Sequence, residues 1–490
     1  MIQIFNTQSG KKEEFKPIEP GKVRMYVCGP TVYDFLHVGN FRGPIFFNMV
    51  RNWLEKSGYE VTYIFNYTDV DDKIIKRANE EKREASEISE TFIKEFEKDY
   101  QSLKLRPHTK NPRVTEHMQD IIDLIKVLVE NGKAYEMEGD VYYSVHDFKD
   151  YGKLSHKNLE DLESGHRIDV NERKRNPMDF ALWKKAKENE PSWPSPWSAG
   201  RPGWHIECSA MNRALLGDQI DIHGGGLDLL FPHHENEVAQ TEGATGTSFV
   251  NYWMHNNMLT FGAQKMSKSL GNIKKARDFM QEYHPEVLKG MMLSSHYRSL
   301  LDFSEDHVAQ ILQMLGRVYS ALAHAKEISL TEAGEEKEAS ASLPKSFAEA
   351  VEKFKAGYVQ ALNDDFNSAE VFARVFDLVR QYNNLCRRPG KVGAEQVAVA
   401  REFLSQLREI TAVTALFGEE PRGFLRDLDD LLLKKKSLKR EDIDHLVQER
   451  AQARVQKDFA KSDELRDKLN GLGILVSDGP QGSVWEVNKG

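Results

Sequence analysis

The sequence predicts a mixed α/β protein: a parallel-sheet domain split by an insertion, then an α-helical bundle, then a small α+β unit at the C-terminus. Three observations carry this. A strand–turn–helix–strand pattern opens the chain, a strand–glycine–helix pattern follows beyond residue 200, and long amphipathic helices begin near residue 306.

The first pattern starts at Val23-Arg24-Met25-Tyr26-Val27, which Cys28-Gly29-Pro30 stops. A short loop holds His37-Val38-Gly39-Asn40. Residues 42–57 read as a helix ended by Gly58, and 61–67 as the next strand. Together they form the βαβ unit of a parallel sheet. Helices are expected over 85–103 and 115–131, and 140–145 alternates like one strand of a hairpin, so this middle region reads as an insertion. Residues 219–223 read as a buried strand running into Gly224-Gly225-Gly226, with a helix starting near Pro232 and a further strand over 249–254. The helices after residue 306 are interrupted at 329–344, an acidic, Ser- and Ala-rich stretch with linker composition. The chain ends in helices and a small hairpin, 473–478 with 483–487. The expected divisions are 1–120 and 200–254 for the two halves of the parallel-sheet domain, 121–199 for the insertion, 255–305 for a loop-bearing connection, 306–424 for the bundle and 425–490 for the C-terminal unit.

Composition narrows the function. The 490 residues are 40% hydrophobic and 29% charged, ordinary globular usage that excludes collagen, a coiled-coil rod and wholesale disorder. A net charge of −9 argues against coating nucleic acid by bulk electrostatics but leaves room for a local patch. Lys434-Lys435-Lys436-Ser437-Leu438-Lys439-Arg440 is a candidate for such a patch, or simply a solvated helix end. Three cysteines (Cys28, Cys208, Cys386) are too few for a disulfide scaffold, so a reducing cytoplasm is expected. No secretory signal is expected, because Met1-Ile2-Gln3-Ile4-Phe5 lacks a basic segment followed by a long apolar one, and no membrane partner is expected, because no apolar run reaches the roughly 18 residues of a span.

Two constellations carry chemistry. His233, His234, Glu235 and Glu237 crowd one short segment, where His233 and Glu237 at i,i+4 can face one ion. A protease-type pair of histidines is excluded because Val238 occupies the second position. Cys28, at a strand's carboxyl end, and Cys208 supply soft ligands, so Cys28, Cys208, His233 and Glu237 make a plausible zinc set. His205 and His234 compete as ligands, and two buried free cysteines beside a polar helix start is the plain alternative. The second constellation suits phosphate, although a Lys/Ser loop by itself is also ordinary solvated surface. His37-Val38-Gly39-Asn40 lies where strand gives way to helix, whose unpaired N–H groups suit an anion, and Gly39 permits close approach. Lys265-Met266-Ser267-Lys268-Ser269 puts two lysines in a small-residue loop that can follow charge developing on a triphosphate.

These two segments resemble the HIGH and KMSKS signatures of class I aminoacyl-tRNA synthetases. Met25–Asp34, Asn66–Ile74, Gly203–Met211, His223–Gly226, Phe231–Glu237, Ala361–Asn367 and Lys457–Asp463 are similar to the cysteine-specific family among them, nearly end to end. One departure is visible: Asn40 stands at the second His of HIGH.

The resemblance implies a Rossmann-like catalytic domain, an anticodon-binding C-terminal domain and three substrates: L-cysteine, ATP and tRNA-Cys. It implies one Zn2+ on Cys28, Cys208, His233 and Glu237 that reads the substrate thiol, with Mg2+ arriving on ATP. His37, Asn40, Lys265 and Lys268 are the expected catalytic residues, and Gly39, Gly226, Asp228 and Ser267 join them in the ATP site. Gly29, Thr68, Trp204 and Asp228 are expected to line the amino-acid pocket, although a helix cap would also explain Asp228 and core packing would explain Trp204. Asp69, Asp71 and Asp72 read as a helix-start feature rather than a metal site. The expected state is a monomer. A ligase that passes cysteine to a small amine is a rival, against which residues 425–490 count. So is a non-catalytic zinc protein that binds tRNA.

Overall fold

A computed structural model describes residues 1–158, 174–261, 264–265, 274–330, 342–387, 392–479 and 482–489. The chain forms two compact units, one of 1–276, 295–301 and 359–368, the other of 277–294, 302–358 and 369–490.

At the centre of the first unit is a four-stranded parallel sheet in the order Val250–Asn256, Ile220–Gly226, Lys22–Val27, Glu60–Phe65. Helices covering both faces of a parallel sheet demand apolar strands, and Met25, Tyr26, Tyr63, Ile220 and Ile222 are fully buried. The helix Arg42–Lys56 links the first expected strand pair and buries Ile45, Phe47, Met49, Val50 and Leu54. Because all four strands run one way, Cys28, Asn66, Gly226 and Asn256 come to the same edge of the sheet, where open α/β folds hold their ligands. Between the sheet's two halves the chain builds a four-stranded antiparallel sheet, Ala134–Met137, Asp140–Tyr143, Phe180–Lys185 and Gly200–Pro202 in that order.

Arg42 holds the site edge of this unit together. Its guanidinium is 1% exposed and donates to the carbonyls of Asn257 and Met258 at 2.9 Å each, His296 at 3.3 Å and Ser299 at 2.6 Å. Burial brings its pKa down to about 10.

In the second unit the helix Glu305–Ser329 packs on Ala394–Thr414 and Pro421–Lys435, with Tyr319 stacked on Phe424 at 4.0 Å. The C-terminal end closes its own small core of Leu433, Ile443, Val447, Leu469, Ile474 and Val487 under the hairpin Ile474–Gly479 and Gly482–Val487. The interruption read at 329–344 lies mostly outside the described residues.

One expectation needs correction. The helix anticipated near Pro232 begins at Glu235; the residues before it form a wider turn, Leu230–His234, in which Phe231 is extended (φ −139°, ψ 131°). Proline restricts the residue before it to extended backbone, which delays the regular helix.

Candidate active site

Four chain segments converge at the carboxyl edge of the parallel sheet. Cys28 follows the strand Lys22–Val27 directly, its N–H donating to Gly224 O at 3.1 Å. Cys208 lies one turn into the helix Trp204–Leu216. His233 sits in the wide turn and Glu237 in the first turn of the helix that follows. Cys28 Sγ is 3.7 Å from Cys208 Sγ, 3.5 Å from His233 Nε2 and 3.5 Å from Glu237 Oε1, and His233 Nε2 is 3.1 Å from Glu237 Oε1.

The electrostatics are those of crowded donors. Burial pushes the Cys28 thiol well up, while the hydrogen bond from Cys28 brings the Cys208 thiol down to about 6. Burial alone would raise Glu237, but His223 and His233 outweigh it and hold the carboxyl at about 2. Burial likewise opposes charge on His233, which Glu237 and Cys208 nonetheless raise to about 10. Cys28, an imidazole and a fully buried carboxylate lie within reach of one another, with Cys208 adjoining them through Cys28, and these are donor types that suit zinc.

Of the two competing histidines, His234 belongs to the same cluster. Ligand atoms of Cys28, His233, His234 and Glu237 lie within 4.8 Å of one another. Its Nδ1 is bonded to His255 Nε2 at 2.8 Å, while its buried Nε2, 4.0 Å from Glu237 Oε1, makes no hydrogen bond among the described residues. His205 instead meets the far side of the His233 ring, Nδ1 to Nδ1 at 3.0 Å, and so orients that ring. A surrounding layer that sequence reasoning missed supports the donors: His223 Nε2 lies 3.0 Å from Glu237 Oε2, and His255 Nδ1 is bonded to Thr7 Oγ1 at 2.8 Å. His223 stood within a quoted motif, but only cross-strand register brings it to Glu237.

The cluster opens into a cleft of about 730 Å³. Gly29, His37, Gly39, Asn40, Thr68, Trp204, Gly226 and Asp228 all line it together with Cys28, Cys208 and His233; Glu237 sits behind the wall, fully buried. Gly29 has a steric reason: a Cβ there would stand 1.7 Å from Asn66 O, and its N–H donates to Asn66 Oδ1 at 2.9 Å. Trp204 is 40% exposed and stacks on His233 with ring centroids 4.5 Å apart, so it does not serve as core packing. Asp228 is exposed within the short turn Leu227–Leu229, whose N-cap is Gly226, so Asp228 is not the cap.

Asn40 completes a reciprocal cap. Gly39 N–H donates to His37 Nδ1 at 3.1 Å, and His37 N–H donates to Asn40 Oδ1 at 3.0 Å. An amide fills this place well, because its oxygen accepts while its NH₂ stays available to donate. The three acidic residues after Thr68 serve structure. Asp69 accepts from Thr115, Asp71 caps the helix Asp72–Glu81 through Lys73 N–H at 2.8 Å, and Asp72 pairs with Arg201 and Lys184. Of the lysine loop, the backbone at Gln264–Lys265 pairs with Thr260–Phe261; the Lys265 side chain, Ser267 and Lys268 lie outside the described residues.

This parallel-sheet domain is that of a class I aminoacyl-tRNA synthetase, as the comparisons show. Residues 14–313 match the family described as tRNA synthetases class I (C) catalytic domain, 357–418 the DALR domain, and 440–485 the cysteinyl-tRNA ligase anticodon binding domain. The chain belongs to the cysteine–tRNA ligase family. It is 56% identical to the cysteine–tRNA ligase of Bdellovibrio bacteriovorus over 489 residues, covering 100% of both chains. It is 46% identical to that of Syntrophotalea carbinolica, covering 99% of each. A solved structure of Mycobacterium tuberculosis methionyl-tRNA synthetase with methionyl-adenylate shares the fold, with a TM-score of 0.62 at 11% identity over 80% of this chain and 92% of that one. No helix among the described residues is long and apolar enough to cross a membrane.

Proposed function

We propose that this chain activates L-cysteine with ATP and transfers it to tRNA-Cys, acting as a monomer in the cytoplasm, with one Zn2+ on Cys28, Cys208, His233 and Glu237 selecting the substrate side chain. The observation that supports this best is that Cys28, Cys208 and His233 line the cleft that His37 also lines, with Glu237 behind them 3.5 Å from Cys28 Sγ. Bound there, zinc supplies a borderline-soft Lewis acid that favours a thiolate over a hydroxyl, the distinction between cysteine and serine. A site built around one specific bond rejects the analogue lacking it by ~10⁴ or more, which makes separate editing unnecessary.

The chain's own residues hold the reactants. Trp204, stacked on His233, and the buried Thr68 wall the amino-acid pocket, and Gly29 lets the chain pass close against the Asn66 carbonyl at its edge. Asp228 offers a carboxylate to the amine or the ribose hydroxyls, with Gly226 beside it. The substrate carboxylate is already ionised, so its attack on the α-phosphorus, which expels pyrophosphate and forms cysteinyl-adenylate, needs no protein base. Positioning and charge stabilisation carry the step. His37, with its ring fixed by the Gly39 N–H, contacts the phosphates, and Asn40 keeps an amide donor for them. Lys265 and Lys268, with Ser267 in the same loop, follow the departing phosphates, and Mg2+ enters with ATP. The acyl group then passes to the 2′-hydroxyl of the terminal adenosine, while the helical and C-terminal domains grip the tRNA.

Cysteine-dependent ATP–pyrophosphate exchange, followed by charging of tRNA with labelled cysteine, tests this reading. Exchange without charging would favour the small-amine ligase, and no exchange would leave only a binding protein. Exchange with serine as fast as with cysteine would sink the selector role of the metal.

A further inference from the structure

Beyond the two signatures, two more lysines, Lys73 and Lys275, line the cleft, and Lys275 is the one set opposite His37 by backbone pairing. Residues 36–38 pair antiparallel with 274–276: Val38 N–H donates to Lys274 O and Ala276 N–H to Leu36 O, both at 3.0 Å. In this pattern His37 and Lys275 are the directly opposed, non-hydrogen-bonded pair. That is the closer of the two antiparallel pairings, and it puts both side chains on one face of the ribbon. Lys275 is exposed and lines the same cleft as His37. Its Nζ stands 4.8 Å from the centroid of the Phe35 ring, which is braced edge-on by Phe92 at 5.3 Å. Among the described residues no carboxylate pairs with it. The acidic side chain on that loop, Asp34, is engaged by Arg77 at 2.9 Å.

An exposed ammonium held over a ring gains little from it. A phosphate oxygen offers a stronger, charge-assisted bond. We propose that Lys275 is a substrate-contacting residue that binds the polyphosphate chain of the nucleotide beside His37, with Phe35 holding its ammonium in place until the anion arrives. The inference rests on reading the cleft as an ATP site. It adds a cation anchored by backbone pairing to His37 and lying downstream of the lysine loop.

The test uses the full chain as Lys275→Met, Lys275→Gln and Lys275→Arg, with melting curves to establish folding. ATP, inorganic pyrophosphate and AMP are titrated calorimetrically, and Michaelis constants are taken from cysteine-dependent exchange. Loss of the charge is expected to weaken ATP and pyrophosphate about tenfold and to flatten their salt dependence, with cysteine and AMP changed by less than about twofold. Lys275→Arg should stay near wild type. Unchanged pyrophosphate and ATP affinity in either folded neutral variant would overturn the assignment, and so would AMP weakened as much as ATP. If the unaltered chain showed no cysteine-dependent exchange, the enzymatic reading would fail, while the pyrophosphate titrations would still decide the role of Lys275.

Discussion

The sulfur atoms of Cys28 and Cys208 lie 3.7 Å apart although 180 positions separate them in the chain. One ends a sheet strand and the other rides a helix, and both remain free thiols. Two sulfurs this close, with an imidazole and a buried carboxylate around Cys28, offer a soft cation its preferred donor types.

Cys208→Ser tests that directly. Metal analysis should find about one zinc per chain in the unaltered protein and little in the variant. Cysteine-dependent exchange should fall by about 100-fold or more, with the ATP Michaelis constant nearly unchanged. Chelator treatment of the unaltered protein should reproduce the loss. Full zinc occupancy in Cys208→Ser would remove that sulfur from the ligand set.

His223 grips the outer oxygen of Glu237 at 3.0 Å, with both side chains fully buried. Its replacement by phenylalanine should lower zinc affinity by about 10–100-fold, read by competition with a chromogenic chelator. His223→Gln keeps a donor and should lose less. Equal affinity in both variants would reduce His223 to packing.

His108 makes acid stability measurable away from the site. Burial, aided by Arg51, drives its pKa down to about 3, and its ring stacks on Phe65 at 4.6 Å. Because the folded value lies below the unfolded one of about 6.5, the unfolded chain binds more protons between them. Stability from this residue is therefore complete above about pH 6.5 and is lost as pH falls toward 3, at up to about 1.4 kcal/mol per pH unit. Denaturant titrations from pH 7 to 5 should show that slope reduced in His108→Phe.

The basic run at 434–440 divides into two kinds of residue. Lys435 is tied to Glu282 at 2.8 Å, and Arg440 to Asp430 at 2.6 Å while lying over the Trp485 ring. Lys434 and Lys439 are exposed. The double variant Lys434→Ala/Lys439→Ala is expected to raise the tRNA Michaelis constant severalfold and leave pyrophosphate exchange alone. An unchanged tRNA constant in charging assays would take the run out of the interface.

Much of this was readable along the chain. The strand 22–27, the helix from Arg42, the strand pair flanking it and the C-terminal hairpin stand within a residue or two of where apolar period and glycine punctuation put them. The helix near Pro232 came out late, because a proline's effect on its predecessor outweighs the apolar pattern beyond it. In the site, the residue types that bind a soft ion or a phosphate could be picked out one by one. The choice of His205 as orienter rather than central donor could not, since it turns on which nitrogen of His233 it faces.

By itself, the amino-acid order determined the chemistry available to this protein: three free cysteines, a histidine-rich turn, a glycine-bearing loop between strand and helix, and local periods that set helix against strand. Tertiary structure alone decided which of those groups meet. The parallel register opposes Tyr26 to His223 and Val27 to Gly224, and so brings Cys28 to the edge where Cys208, His233 and Glu237 wait. The antiparallel pairing beyond the lysine loop does the same for His37 and Lys275. Local spacing governs neighbours along the backbone, whereas contacts between distant segments are set by the packing that buries the whole apolar surface at once.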